Sequence, residues 1–265
     1  MGVSHRVFDF DRALVRRPAA SVVDGLRAGD HAGPSYEGVA AEHEAYVTAL
    51  RAAGIEVEVL APLDAFPDSI FVEDPALVFS GAAILLRPGA ASRLGETDAI
   101  RPELARRFAR VMELGGEGYA DGGDVLVTPD MVFIGLSTRT DRAGADALSA
   151  RLEELGLRAR IVEPPAGVLH LKTGCSLIDE ETVIATPAMA QSGVLDGFRH
   201  VVTPQGEEAA ANALRVNDLV LLGAAFPRTR DLVEALGVEV VPLAVAEIGK
   251  IDAGLSCMSL RWKQA

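Results

Sequence analysis

The sequence predicts an α/β fold assembled by repetition of one unit, a β-hairpin followed by a helix and a further strand. Three observations predict it. Apolar residues recur every three or four positions through Val39–Ala53, Ala99–Leu114, Arg142–Leu155 and Arg228–Leu236, the period of an amphipathic helix. Short segments rich in branched residues follow such stretches and end at proline. Between them lie pairs of apolar runs joined by turn chemistry, spaced by roughly 50 residues, a period that signals propellers and arrays.

In chain order, the helical stretch Val39–Ala53 stops at Gly54, where glycine adopts the left-handed C-cap conformation at no steric cost. The strand IEVEVLAP follows, then SIFVEDPALVF and AAILLRP as a hairpin with a Ser-Gly turn. Ala99–Leu114 is the next helix. DVLVT and MVFIGLS form the second hairpin around Pro-Asp, before the helix Arg142–Leu155, Gly156 and the strand LRARIVEPP. CSLID and TVIAT form the third, with FRHVVTP after Gly197 as its later strand. ALRVND and LVLLG form the fourth, before Arg228–Leu236, Gly237 and VEVVP. Four units are explicit, and the chain ends DFDRALVRR and SCMSLRW supply a fifth between them. An ordinary doubly wound sheet would need single strands between helices, which consecutive hairpins contradict. No linker or composition break appears, so residues 1–265 read as one domain.

Composition narrows the function. The 265 residues carry a formal charge of −13, a surface that repels nucleic acid and anionic lipid and favours a cationic small molecule. Two cysteines without a CxxC pattern argue against a disulfide scaffold or structural zinc. GxGxxG and GxxxxGK[ST] are absent, which removes the usual nucleotide sites. No apolar run reaches the roughly 18 residues of a spanning helix. The N-terminus MGVSHRVFDFDR is charged where a signal peptide is apolar, and Arg6 argues against myristoylation, so the expected compartment is the cytoplasm.

Candidate chemistry lies in a few segments. If Ser256–Trp262 is a strand, Cys257, Ser259 and Arg261 share its polar face, which suits a reactive thiol; the alternative is a small buried hydrophobe. Cys175 shares a face with Leu177 and reads as core. His170 alternates with Leu169 and Leu171, and paired with a polar-face cysteine it could act as general acid and base. Glu73 and Asp74 are adjacent in an apolar segment, and Asp121 and Asp124 bracket two glycines. Buried carboxylates need compensation, either from a bound cation or from salt bridges to Arg87 or Arg93.

These segments resemble a known family. FVEDPALVF, RPGAASR, DGGDVLVT with FIGLSTRT, LHLKTGCSL and KIDAGLSCMSL occur in the order found in dimethylarginine dimethylaminohydrolases, spanning about Asp68 to Arg261. The resemblance implies the five-bladed α/β propeller of the guanidine-modifying (pentein) superfamily, around a central pocket. It implies Cys257 as nucleophile, His170 as general acid/base and Asp121 as the group that orients the histidine. It further implies Glu73, Asp74 and Asp68 as substrate-contacting acids, Arg93 and Arg139 as the arginines that hold the amino-acid end, and Ile251 as a backbone contact. Pro18 falls where relatives often have a leucine, so the N-terminal lid departs from the family. The implied reaction converts methylated arginine to citrulline and an amine through a covalent thiouronium on Cys257, with no metal or organic cofactor. The expected partner is the small-molecule methylarginine, with no nucleic acid and no membrane; a homodimer is left open. The alternatives are an arginine or agmatine deiminase and a non-catalytic propeller resembling a ribosome anti-association factor. Zinc binding or thiol redox chemistry at Cys257 is conceivable as a secondary property.

Overall fold

The computed structural model describes residues 6–29 and 32–264; the first five residues of the charged N-terminal segment lie outside the described residues. β1 (Arg12–Arg16) is followed by α1 (Tyr36–Ala52) and by β2 (Glu56–Leu60), which pairs parallel to β1. The next unit is β3 (Ala76–Phe79), β4 (Ala82–Leu85), α2 (Glu96–Ala105) and β5 (Arg110–Glu113). After it come β6 (Val125–Val127), β7 (Val132–Gly135), α3 (Arg142–Glu153) and β8 (Ala159–Val162). A short helical turn, α4 (Leu171–Gly174), leads into β9 (Cys175–Leu177), β10 (Thr182–Ala185), α5 (Pro187–Gln191) and β11 (Arg199–Val202). The fourth unit is β12 (Leu214–Val216), β13 (Leu219–Gly223), α6 (Pro227–Glu234) and β14 (Glu239–Leu243), and the last strand is β15 (Leu260–Trp262).

Every unit makes a three-stranded sheet of one design. The hairpin strands pair antiparallel, and the strand after the helix returns parallel to the middle one. The fifth sheet, in order β15-β1-β2, joins the two chain ends, with Leu14 opposite Leu260. The first strands of all five sheets line one central cavity of about 480 Å³, a propeller-like arrangement. Helices cover the sheets from outside: Ile100 and Leu104 of α2 pack on Leu85, and Leu148 and Leu152 of α3 on Ile134. Each side chain so buried contributes roughly 1.5–3 kcal/mol. Among the described residues no helix is long and apolar enough to cross a membrane.

Local rules explain most boundaries. Ser35 caps α1 by accepting from the Gly38 N–H at 3.1 Å. Gly54, Gly156 and Gly237 sit at φ of +84°, +77° and +81°, the left-handed stop expected of them. Gly115 and Gly116 also take positive φ, +79° and +64°, but they follow a strand rather than a helix. The predicted helix Ala99–Leu114 ends at Ala105, and Arg110–Glu113 is the strand β5, paired with β4. Leu104 and Phe108 continue the helical spacing across the loop by coincidence, and pairing with β4 overrides it. SIFVEDPALVF is a strand only from Ala76, because residues 66–74 make successive tight turns that face the carboxylates inward. Ser256–Trp262 is likewise no continuous strand. Leu255–Met258 is a single 3-10 turn, and β15 begins at Leu260.

Candidate active site

A second cavity, of about 190 Å³, gathers Asp68, Asp74, Arg93, Asp121, Arg139, His170, Ile251 and Cys257. The repeat explains the convergence. Asp74, Asp121, His170 and Cys257 each lie a few residues ahead of the first strand of a different sheet, β3, β6, β9 and β15 respectively. The turns before those strands therefore meet at one end of the propeller axis.

Asp121 is 1% exposed and sits at the start of the DGGD turn. Its Oδ1 accepts from the Gly89 N–H at 2.7 Å, and its Oδ2 lies 3.0 Å from His170 Nε2. Both glycines of the turn are required by space. A Cβ on Gly122 would stand 2.0 Å from the Glu73 carbonyl, and one on Gly123 2.8 Å from the His170 ring. Burial disfavours a charged imidazole, but the hydrogen bond to Asp121 and the fields of Asp74, Asp124 and Asp121 prevail, raising the His170 pKa to about 9. At neutral pH His170 is thus an acid with a proton to give.

Asp124, the other carboxylate of DGGD, is structural. It accepts from Ser137 Oγ and Thr140 Oγ1 at 2.7 Å each, and from the Leu171 N–H at 2.8 Å. One buried carboxylate thereby fixes the residue after His170 and the loop that carries Arg139.

The two arginines differ. Arg93 is buried, paired with Asp74 and forked onto Glu96 at 3.0 and 2.7 Å, and its Nη2 also donates to the carbonyls of Asp68 and Phe71. Arg93 thereby realises the salt bridge weighed for Asp74, and it also borders the small cavity. Burial and this pairing set opposing demands on Asp74, and Arg93 together with the charged His170 keeps that carboxyl below its ordinary pKa. Arg139 lines the cavity half-exposed and, among the described residues, makes no ion pair. Asp68 accepts from the Leu26 N–H at 3.0 Å, and burial raises its pKa. Glu73 takes the other side of the turn from Asp74. It turns away from the small cavity to Lys172 at 2.7 Å and Arg261 at 2.9 Å, on the side of the large one.

Cys257 is held from both sides. Arg261 Nη1 donates to the carbonyls of Ser256 (3.1 Å) and Ser259 (2.6 Å), and the Glu73 N–H donates to the Cys257 carbonyl. Burial raises the thiol pKa, and Asp74 and Glu73 raise it further. A cation in the cavity would offset those carboxylates and favour the thiolate.

Pro18 is buried outside the cavity, which Leu26, Arg27 and Ala28 border instead. Sequence reasoning also missed Asn212, two residues ahead of β12, whose Nδ2 lies 3.8 Å from Cys257 Sγ. Its position in the repeat, matching the other four turns, was the available signal.

A model of the family described as N,N dimethylarginine dimethylhydrolase, eukaryotic, matches residues 31–192. The chain is 38% identical to the N(G),N(G)-dimethylarginine dimethylaminohydrolase of Pseudomonas aeruginosa, over 96% of this chain and 100% of that one. It is 35% identical to the protein of the same name from Streptomyces coelicolor, over 96% and 97% of the two chains. The structure of a cysteine-to-serine variant of the Pseudomonas aeruginosa protein, complexed with citrulline, superposes with a TM-score of 0.93 over 96% of this chain and 100% of that one, at 38% identity. The fold is therefore the five-bladed α/β propeller of the pentein proteins. Within that class, the chain belongs to the dimethylarginine dimethylaminohydrolase family.

Proposed function

We propose that this chain is a dimethylargininase, hydrolysing asymmetric dimethylarginine or monomethylarginine to citrulline and dimethylamine or methylamine. The observation that carries the reading is the joint lining of one small cavity by Cys257, His170 bonded to Asp121, the carboxylate of Asp74 and the unpaired Arg139. Family membership and a relative's complex with citrulline support it.

The chemistry follows from charge. A guanidinium carbon resists nucleophiles because its cation is delocalised, so it must be held against carboxylates and offered a thiolate. Asp74 and Asp68 supply the negative field, and the bound cation in turn favours ionisation of Cys257. The thiolate adds to the guanidinium carbon, forming a C–S bond. His170 gives its proton to the dimethylamine nitrogen as the C–N bond breaks, leaving a thiouronium on Cys257. The now neutral His170 takes a proton from water, whose oxygen attacks the same carbon. The C–S bond breaks as the added hydroxyl releases its remaining proton to solvent, the thiolate returns and citrulline leaves. Arg139 answers the α-carboxylate at the far end through its bidentate fork. The scheme calls for no metal or organic cofactor.

We read residues 1–265 as one catalytic domain, because the fifth sheet needs both chain ends. Both cysteines are free thiols, which suits the reducing cytoplasm. The test is to offer both methylated arginines, arginine and agmatine to the purified protein. Citrulline and dimethylamine should appear in equal amounts from asymmetric dimethylarginine. Faster release of ammonia from arginine or agmatine would replace this reading with a deiminase.

A further inference from the structure

The thiol of Cys257 has an electrostatic problem that the residues named so far do not solve. Asp74 and Glu73, from the turn before β3, disfavour its anion, and the buried Asp121 adds negative charge to the same cavity. Of the cations nearby, Lys172 is paired to Glu73, Arg261 is paired to Glu73 and holds the backbone, and His170 is bonded to Asp121. A further cation beside the sulfur would ionise the thiol, but it would also repel a guanidinium substrate. A neutral hydrogen-bond donor stabilises the thiolate without that penalty.

Asn212 meets the requirement. It closes the 3-10 turn Glu208–Ala211 ahead of β12, in the sheet that otherwise contributes nothing to the site. The orientation of its amide is set by its neighbours. The Ser256 N–H can only donate, and it donates to Oδ1 at 3.1 Å, which turns Nδ2 toward Cys257 Sγ at 3.8 Å. Gly254 leaves the room: a Cβ there would lie 2.4 Å from Asn212 Cγ. Asn212 itself does not border the small cavity, so it reaches the sulfur from the protein side and leaves the substrate's side clear. Ser256 Oγ, 3.9 Å from Sγ, is a further neutral neighbour, and a backbone hydrogen bond from Gly254 also favours the thiolate.

We propose that Asn212 is a positioning residue for Cys257, its Oδ1 fixing the nucleophile's turn through Ser256 and its Nδ2 donating to the thiolate once it forms. This rests on Cys257 being the nucleophile of the proposed reaction. A neutral thiol is a weak acceptor and the contact is correspondingly long; ionisation makes the sulfur a strong one.

Asn212→Asp and Asn212→Ala separate the two halves of the amide. Aspartate keeps an oxygen for the Ser256 N–H and loses the donor, whereas alanine loses both. The readouts are kcat on asymmetric dimethylarginine and the pH profile of Cys257 alkylation by iodoacetamide without substrate, mapped to the Cys257 peptide. In both variants the alkylation profile should move up by about one pH unit or more, with aspartate the further displaced, and kcat should fall roughly 10- to 100-fold. An aspartate variant with the wild-type profile and kcat would overturn the proposal and leave Asn212 a turn-fixing residue only; it also decides the matter if the alanine variant fails to fold. Absence of turnover in the wild-type protein would refute the proposed function instead, and the substrate-free alkylation profiles would still test the hydrogen bond.

Discussion

The two cysteines occupy corresponding places in two units, in or just after the turn that precedes a first strand, and they meet opposite surroundings. Cys175 opens β9 inside an apolar cluster with Leu171, Val183 and Met189, its thiol donating to the Leu171 carbonyl at 3.4 Å. Burial alone pushes its pKa up to about 12. Cys257 is scarcely more exposed, at 8%, but its sulfur borders the small cavity, with Asp74, His170 and Asp121 around it and Asn212 behind. Both thiols are raised, and only Cys257 lies where a bound cation could lower it. Reactivity is therefore decided by what shares the cavity, not by exposure.

The largest expected effect tests that contrast directly. Cys257→Ser should lose turnover by on the order of 10⁴-fold or more while remaining folded, since serine forms no accessible anion there. Activity comparable to wild type in that variant, measured as citrulline release, would undo the assignment. His170→Ala should cost roughly 10²- to 10⁴-fold, because amine departure needs its proton and water attack needs its neutral form as a base; turnover near the wild-type rate would refute the role.

Arg139 extends the comparison to the arginines. Arg139→Ala should weaken kcat/KM for methylated arginine by about 2–5 kcal/mol, as for truncating one partner of a buried charge pair, and barely change residual activity on agmatine, which lacks the carboxylate. Equal losses on both substrates would make Arg139 a support of the fold.

A smaller effect concerns pH. His170 has a folded pKa raised to about 9 from an ordinary 6.5, so its stabilising contribution is complete below pH 6.5 and is lost as pH rises through 9. The contribution is on the order of 3 kcal/mol. Urea midpoints should fall between pH 6.5 and 9.5 in the wild type and flatten over that window in His170→Ala; parallel curves would contradict it. Smallest of all, Cys175→Ser should keep most activity, since its hydroxyl can still donate to the Leu171 carbonyl. Its inactivation with Cys257→Ser intact would reverse the contrast.

Much of this was legible in the sequence because it is local. Glycine stops, hairpin turns and branched strands mark their own limits, and even the fifth sheet follows from counting units. β5 was not legible, because Leu104 and Phe108 mimic a continued helix and its partner β4 lies some 25 residues away, a pairing that periodicity does not see. The DGGD turn showed itself because two adjacent glycines between carboxylates imply close approach. The commitment of Arg93 did not, since it depends on Glu96 and on carbonyls that only the folded turn brings together. Glu73 is adjacent to Asp74 in sequence, yet its side chain takes the other side of the turn, which no motif reports. Leu26 and Asn212 carry no motif at all and were placed only by geometry.

The central claim is that the guanidinium carbon of a methylated arginine is transferred to Cys257. Rapid acid quenching of the wild-type protein during turnover of asymmetric dimethylarginine, followed by intact and peptide mass analysis, tests it most directly. The account predicts a transient mass increase, equal to the substrate less dimethylamine, confined to the Cys257 peptide and absent from Cys257→Ser. The same adduct on the Cys175 peptide, or steady citrulline production by Cys257→Ser, would contradict it.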